Sequence, residues 1–245
     1  MHPRSSCYRC RNGQAAFTLV EIAIALVIIG LLVGAILKGA ALLNSSKVRR
    51  LVDLSAGTQA AYLGFVDRYR RVPGDMNATA ASAALGVPIN GGGNDNGRID
   101  NPAGFLVWVE VNALWEHLSK SGLIKGQYEG TPLAEPTTSN SLAPVNVFNR
   151  VVILGRTAEF EGASQAQLHM VLGRGMPVAI ARELDAKVDD GVPDRGAVRA
   201  TFDDAGISTF VGTNRWGGRE AACIDATPAW DAVADAQDCN LVVLF

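Results

Sequence analysis

Residues Phe17 to Leu37 read FTLVEIAIALVIIGLLVGAIL, an apolar run with one acid, Glu21, near its start. As an α-helix this run is roughly 31 Å long, enough to cross the hydrocarbon core of a bilayer. A charge at the centre of such a segment costs about 2.5–3.5 kcal/mol, and less near an end. A chain that keeps Glu21 there either uses the acid or places it at the interface.

The remainder must fit around that segment. With 245 residues, 48% of them hydrophobic, the chain holds one membrane segment and one compact domain of ordinary size. A net charge of −2 gives no case for nucleic acid as the main partner. The four cysteines form two pairs in sequence. Cys7 and Cys10 precede the apolar run, and a lone Cys-x-x-Cys with no further ligands nearby is weak ground for zinc. Cys223 and Cys239 lie near the end. In an oxidising compartment a disulfide closing that short loop is worth about 3 kcal/mol. The alternative is two reduced, buried thiols.

Residues 1–16 carry Arg4, Arg9 and Arg11 and no acid, and end in Gln14-Ala15-Ala16. An ordinary secretory signal has its small-residue cleavage site after the apolar core. Here the small residues come first, and Lys38-Gly39-Ala40 beyond the run offers no Ala-x-Ala site. The apolar segment is therefore expected to be kept, with any cut in front of it. Cations flank it on both sides, Lys38, Lys47, Arg49 and Arg50 following the run, so charge alone does not set its orientation.

Ala16-Phe17-Thr18-Leu19-Val20-Glu21 resembles the cleavage and methylation motif of type IV prepilins and type II secretion pseudopilins. The resemblance implies a prepilin peptidase that cuts between Ala16 and Phe17 and N-methylates Phe17. Glu21 becomes the fifth mature residue. It implies a leader inside the cell, a single pass through the inner membrane, and a C-terminal domain in the periplasm. It further implies an inner-membrane assembly platform and other pilin-like subunits as partners. A Glu within an apolar segment needs a partner, and in a stack of related subunits the amino terminus of a neighbour supplies one. Glu21 is then an assembly residue that pins register. The sequence departs from the family pattern at Ala16, where Gly is usual, and in lacking a Pro in the second half of the run. Gly30, Gly34 and Gly39 can loosen or closely pack the helix there instead.

No Pro occurs from Lys38 to Arg71. Leu51, Leu54, Thr58, Tyr62, Phe65 and Tyr69 recur at steps of three and four, a helical stripe facing a core. Pro73-Gly74 ends it. One helix from Phe17 to about Arg71 would be roughly 80 Å long. The expected organisation is a leader over 1–16, a membrane and assembly helix over 17–37, its amphipathic continuation over 38–72, and a globular domain over 73–245. The fold class is α+β, the long helix packing on a domain with a small antiparallel sheet.

Within that domain, residues 90–100 form a loop of oxygen side chains around glycines. Asn94, Asp95, Asn96 and Asp100, with Glu110 closing from the next segment, are candidate ligands for a structural Ca2+. The spacing is not that of an EF-hand, and the other reading is a glycine-rich turn with Asx hydrogen bonds. Leu106 to Ile124 reads as a helix with Val107, Val111, Leu114, Trp115, Leu118 and Ile124 on its apolar face. His117 has no paired nucleophile and is expected to be structural. Asn146 to Leu154 reads as β-rich, Ser164 as the cap of a short helix through Leu172, and Pro177 as the start of another running toward Lys187. Asp185-Ala186-Lys187-Val188-Asp189-Asp190-Gly191 resembles a helix-end segment of pilin-type minor subunits. Its acids are either a second cation site or a solvated helix end capped by Gly191. The last strand runs from Leu241 to Phe245, and a Cys223–Cys239 bond before it would look like the disulfide-bounded C-terminal region of type IV pilins.

No Gly-rich phosphate loop, Ser/His/Asp set or His-rich metal cluster occurs in the sequence. The expectation is not an enzyme but a structural subunit of a type IV pilus or type II secretion pseudopilus, with no cofactor beyond the candidate calcium. The alternatives are a signal-anchored periplasmic binding module that does not polymerise, and a cation-dependent enzyme built on the 90–100 loop.

Overall fold

The computed structural model describes residues 18–99, 108–209 and 216–245. It divides into two compact units, Met1–Leu43 and Asn44–Phe245. Helix α1, Leu19–Tyr69, runs through the division. It ends where Arg70 turns to φ 54° and Pro73-Gly74 follow.

In the first unit α1 is apolar and its side chains are exposed, from Leu19 at 88% to Leu43 at 66%. In the second unit the same helix buries Val48, Leu51, Ser55, Thr58, Ala61 and Phe65. Leu54, Tyr62 and Tyr69 pack partly buried beside them. Phe65 stacks on His117 at 6.1 Å between ring centroids, and Tyr62 meets the C-terminal Phe245 edge-on at 5.8 Å. Full burial of a side chain such as Leu51 or Phe65 contributes about 1.5–3 kcal/mol.

Among the described residues the second unit has three further α-helices. Helix α2, Ala78–Leu85, is capped by Asn77, whose side chain accepts the Ala80 N–H, and by Gly86 in the left-handed region. Helix α3, Trp108–Lys120, lies inside the expected 106–124 span. It ends in a Schellman arrangement: the Leu123 N–H bonds the Leu118 carbonyl and the Gly122 N–H that of Ser119. Gly122 supplies the positive φ, 76°, that this ending requires. Helix α4, Val178–Val188, opens after Pro177 as the sequence suggests.

The sheet has four antiparallel strands in the order β1-β2-β4-β3. These are β1 Ile153–Thr157, β2 Gln167–Val171, β3 Val198–Ala200 and β4 Leu241–Leu244. Met170 sits between Leu154 on one side and Val243 on the other. The architecture is α+β.

Two local expectations give way. Residues 164–172 do not form a short helix. They supply β2, because β1 and β4 bond its backbone on both edges, and that pairing outweighs a weak local preference. The β-rich reading of Asn146 to Leu154 holds as a strand from Ile153, with Val151 in a single antiparallel bridge to Val145 before it. Asn146 instead makes a turn: its Oδ1 accepts the N–H groups of Phe148 at 2.8 Å and Arg150 at 3.0 Å, and Asn149 adopts φ 56°.

Candidate functional site

Helix α1 begins on a reciprocal pair of hydrogen bonds. Glu21 Oε2 accepts the Thr18 N–H at 3.1 Å and the Thr18 hydroxyl at 3.0 Å, while Thr18 Oγ1 accepts the Glu21 N–H at 3.2 Å. This is a capping box, with Thr18 as N-cap and Glu21 three residues on. A carboxylate in the first turn also meets the positive end of the helix dipole. Glu21 is thus held locally by its own chain, at the head of a run whose apolar side chains are all exposed. Glu21 Oε1 takes no hydrogen bond among the described residues. The expected cleavage pair Ala16 and Phe17 lies outside the described residues. Thr18 was not among the expected site residues, although Thr-x-x-Glu before an apolar run is its sequence signature.

Residues 11–37 match the family model of the prokaryotic N-terminal methylation motif. That motif marks type IV pilin- and pseudopilin-like proteins. No curated protein and no solved structure matches this chain. The described part of the chain has one helix long and apolar enough to cross a membrane, and it is α1.

The candidate cation loop is organised by a residue the sequence reading passed over. Asp75, 2% exposed, accepts the Asn96 N–H at 2.9 Å and the Gly97 N–H at 2.7 Å. Asp95 has both oxygens engaged, Oδ1 by Arg71 at 2.9 Å and Oδ2 by the Asn77 amide. Asn94 and Asn96 accept backbone N–H groups two residues on, each at 3.0 Å. These are Asx turns. Glu110 is buried on α3, and a Cβ on Gly93 would stand 2.5 Å from its Oε1. Asp100 lies outside the described residues.

Behind this loop, α3 is buried on every face from Trp108 to Leu118, polar residues included. Burying such groups is tolerable only when they are bonded. Glu116 accepts the N–H groups of Asn90 at 3.0 Å and Gly91 at 2.8 Å. His117 Nδ1 accepts the Gly74 N–H at 3.0 Å and its Nε2 meets the Gly91 carbonyl at 3.1 Å, which fixes the proton on Nε2. Burial holds the His117 pKa below its ordinary value. Asn112 donates to the carbonyls of Thr131 at 3.0 Å and Ala134 at 2.8 Å. The polar side chains of α3 therefore fasten loops.

The acids at the end of α4 are brought together. Ligand atoms of Asp185, Asp189 and Asp190 lie within 4.8 Å of one another. Each carboxylate already has donors. Asp185 takes the Trp230 indole N–H at 2.7 Å and the Gly191 N–H at 3.3 Å. Asp189 takes the Val198 N–H at 3.0 Å, and Asp190 the Val192 N–H at 2.9 Å with Arg195 at 3.4 Å. The helix is capped by Asp189, before Gly191, which turns the chain with φ 78°.

Cys223 and Cys239 form a disulfide with Cα atoms 5.7 Å apart, both fully buried. It closes a loop whose Trp230 is tied to α4 through Asp185. Around its base Arg174 bridges Asp204 and Asp238, and Arg219 pairs with Glu161 at 2.7 Å.

Proposed function

We propose that this chain is a filament subunit of the type IV pilus or type II secretion kind, and not a catalyst. A prepilin peptidase cuts between Ala16 and Phe17 and methylates the new amino terminus. The chain waits in the inner membrane through α1, with residues 44–245 on the periplasmic side. It then leaves the bilayer for a filament, where copies of α1 cover one another. The observation that carries this reading is the exposed apolar surface of Leu19–Leu43, headed by a capped Glu21 inside a methylation motif. In lipid that surface is satisfied as it stands. Outside lipid it needs other helices, since exposed apolar area of this extent drives association. Glu21 Oε1 remains available for the amino terminus of a neighbour.

Mass spectrometry of the chain isolated from its native membrane tests the first step. The expected result is a mature start at N-methyl-Phe17. An intact leader, or a cut after Leu37, overturns the reading. Glu21→Ala tests the second step: membrane insertion is expected to persist while filament yield collapses. Normal filaments from that variant, in cells lacking the wild-type chain, would rule out the pairing role.

A further inference from the structure

The folded unit 44–245 carries a knob and a groove that complement each other. The knob is Val233, 96% exposed and the most exposed large apolar side chain among the described residues. It sits in the disulfide loop, whose residues 224–238 include Asp225, Asp231, Asp235 and Asp238 and no Lys, Arg or His. Asp238 is spent on Arg174, while Asp225 and Asp235 are exposed. Asp231 Oδ1 accepts the N–H groups of Val233 and Ala234, each at 3.0 Å, and so holds Val233 at the crest of a turn. The disulfide and the Trp230–Asp185 bond fix the base of the loop. An apolar side chain held out in water between carboxylates is pre-organised for docking.

The groove runs between α1 and α4. Val48, Val52 and Val188 line a cavity of about 280 Å³, with Arg49 and Lys187 beside them. Val188 is 42% exposed. Arg49 is exposed and makes no ion pair among the described residues, and Lys187 is held by Glu183 at 2.6 Å. Apolar lining and cationic rim match an apolar knob with an acidic rim.

The two features face different ways. Glu183 on α4 reaches Ser45 of α1 at 3.1 Å, and Lys187 lies on that same side at the groove. Asp185, two residues from each, is turned about 200° round the helix and bonds Trp230 of the disulfide loop. The base of the knob, at Trp230, and the groove therefore lie on opposite sides of α4. A contact between knob and groove joins two copies head to tail, and such a contact builds an open filament when the rotation between copies does not close a ring.

We propose that the Cys223–Cys239 loop of one copy docks in the α1–α4 groove of the next, Val233 entering between Arg49 and Lys187 while Asp231 and Asp235 face those cations. This rests on the filament reading above and names a contact within it.

The test uses full-length chains expressed in place of the wild type, with sheared filaments quantified. Val233→Asp places an acid on the apolar lining and is expected to lower yield about tenfold or more. Arg49→Glu is expected to lower it by about the same factor, and Arg49→Glu with Asp235→Arg to restore most of it. Rescue by exchanged charges is a result that an anionic lipid headgroup in the groove does not give. Each variant's thermal midpoint, unchanged within about 2 °C, shows that unit 44–245 is folded. Wild-type yield from Val233→Asp, or no recovery in the exchanged pair, overturns the docking while filaments still form. Absence of filaments from the wild-type chain itself fails the underlying reading instead.

Discussion

Leu19–Leu43 and Asn44–Tyr69 belong to one helix, yet the first half buries none of its side chains and the second buries a full stripe. The backbone is the same, so the difference lies in what covers the side chains. The second half has its cover inside the chain: α3 through Phe65 and His117, and the C-terminus through Tyr62 and Phe245. The first half is apolar all round, and a helix of that kind takes its cover from lipid or from other helices. One half is finished by folding, the other by its surroundings.

The sharpest way to break that contrast is to truncate one side chain in each half. Phe65 is fully buried, and Phe65→Ala is expected to destabilise unit 44–245 by about 3–5 kcal/mol. Ile28 is 51% exposed, and Ile28→Ala should change the unfolding of that unit by less than about 0.5 kcal/mol. Urea titration in mild detergent, followed through the fluorescence of buried Trp115, reads both. Comparable losses from the two variants would mean that the halves are not independent in energy.

The same contrast explains what the sequence made legible. A membrane helix is written in composition, so the Phe17–Leu37 run needs no tertiary partner to be recognised. The stripe from Leu51 to Tyr69 is written in a 3.6-residue period, and α1 follows it. Strand β2 is written nowhere locally. Gln167-Leu168-His169-Met170-Val171 has one β-branched residue, and its state is decided by partners at 153–157 and 242–244. The polar residues of α3 are equally opaque, since Glu116 and His117 bond backbone at Asn90, Gly91 and Gly74, far away in sequence. Asp75 is opaque for the same reason: its role shows only once the 94–97 loop is folded onto it. Thr18 is the opposite case, legible in the four residues Thr18 to Glu21.

The pH response belongs to the second unit and has two opposed parts. Burial lowers the His169 pKa to about 4. As pH falls below about 6.5 the unfolded chain takes up that proton first, so stability drops until about pH 4. Burial pushes Asp185 the other way, up to about 6, against the lowering effect of its Trp230 and Gly191 donors. Here the folded chain takes the proton first, so stability rises as pH falls from about 6 toward 3.8. The two nearly offset between pH 6 and 4.5. Asp185→Asn keeps an acceptor for Trp230 and removes only the second effect. Its stability is expected to fall more steeply than the wild type's over that interval, by up to about 2 kcal/mol. Thermal melts of both chains at pH 7, 6, 5 and 4.5 check this, and parallel curves would remove Asp185 from the account.

The smallest expected effect lies at the other end of the molecule, where no packing contributes. The first turn of α1 is held by the Thr18–Glu21 capping box and buries nothing. Losing an N-cap costs about 1 kcal/mol, which raises local opening roughly fivefold. Thr18→Ala should therefore speed amide exchange in the first turn of α1 in micelles by about that factor. Thr18→Ser keeps the hydroxyl and should leave exchange near the wild-type rate. Neither change should move the melting of residues 44–245, because fraying at a helix end without tertiary contacts has nothing to transmit it. Faster exchange reaching past Leu43 in Thr18→Ala would show that the bare half of α1 lends stability to the packed half. The division at that residue would then be one of surroundings alone and not of energy.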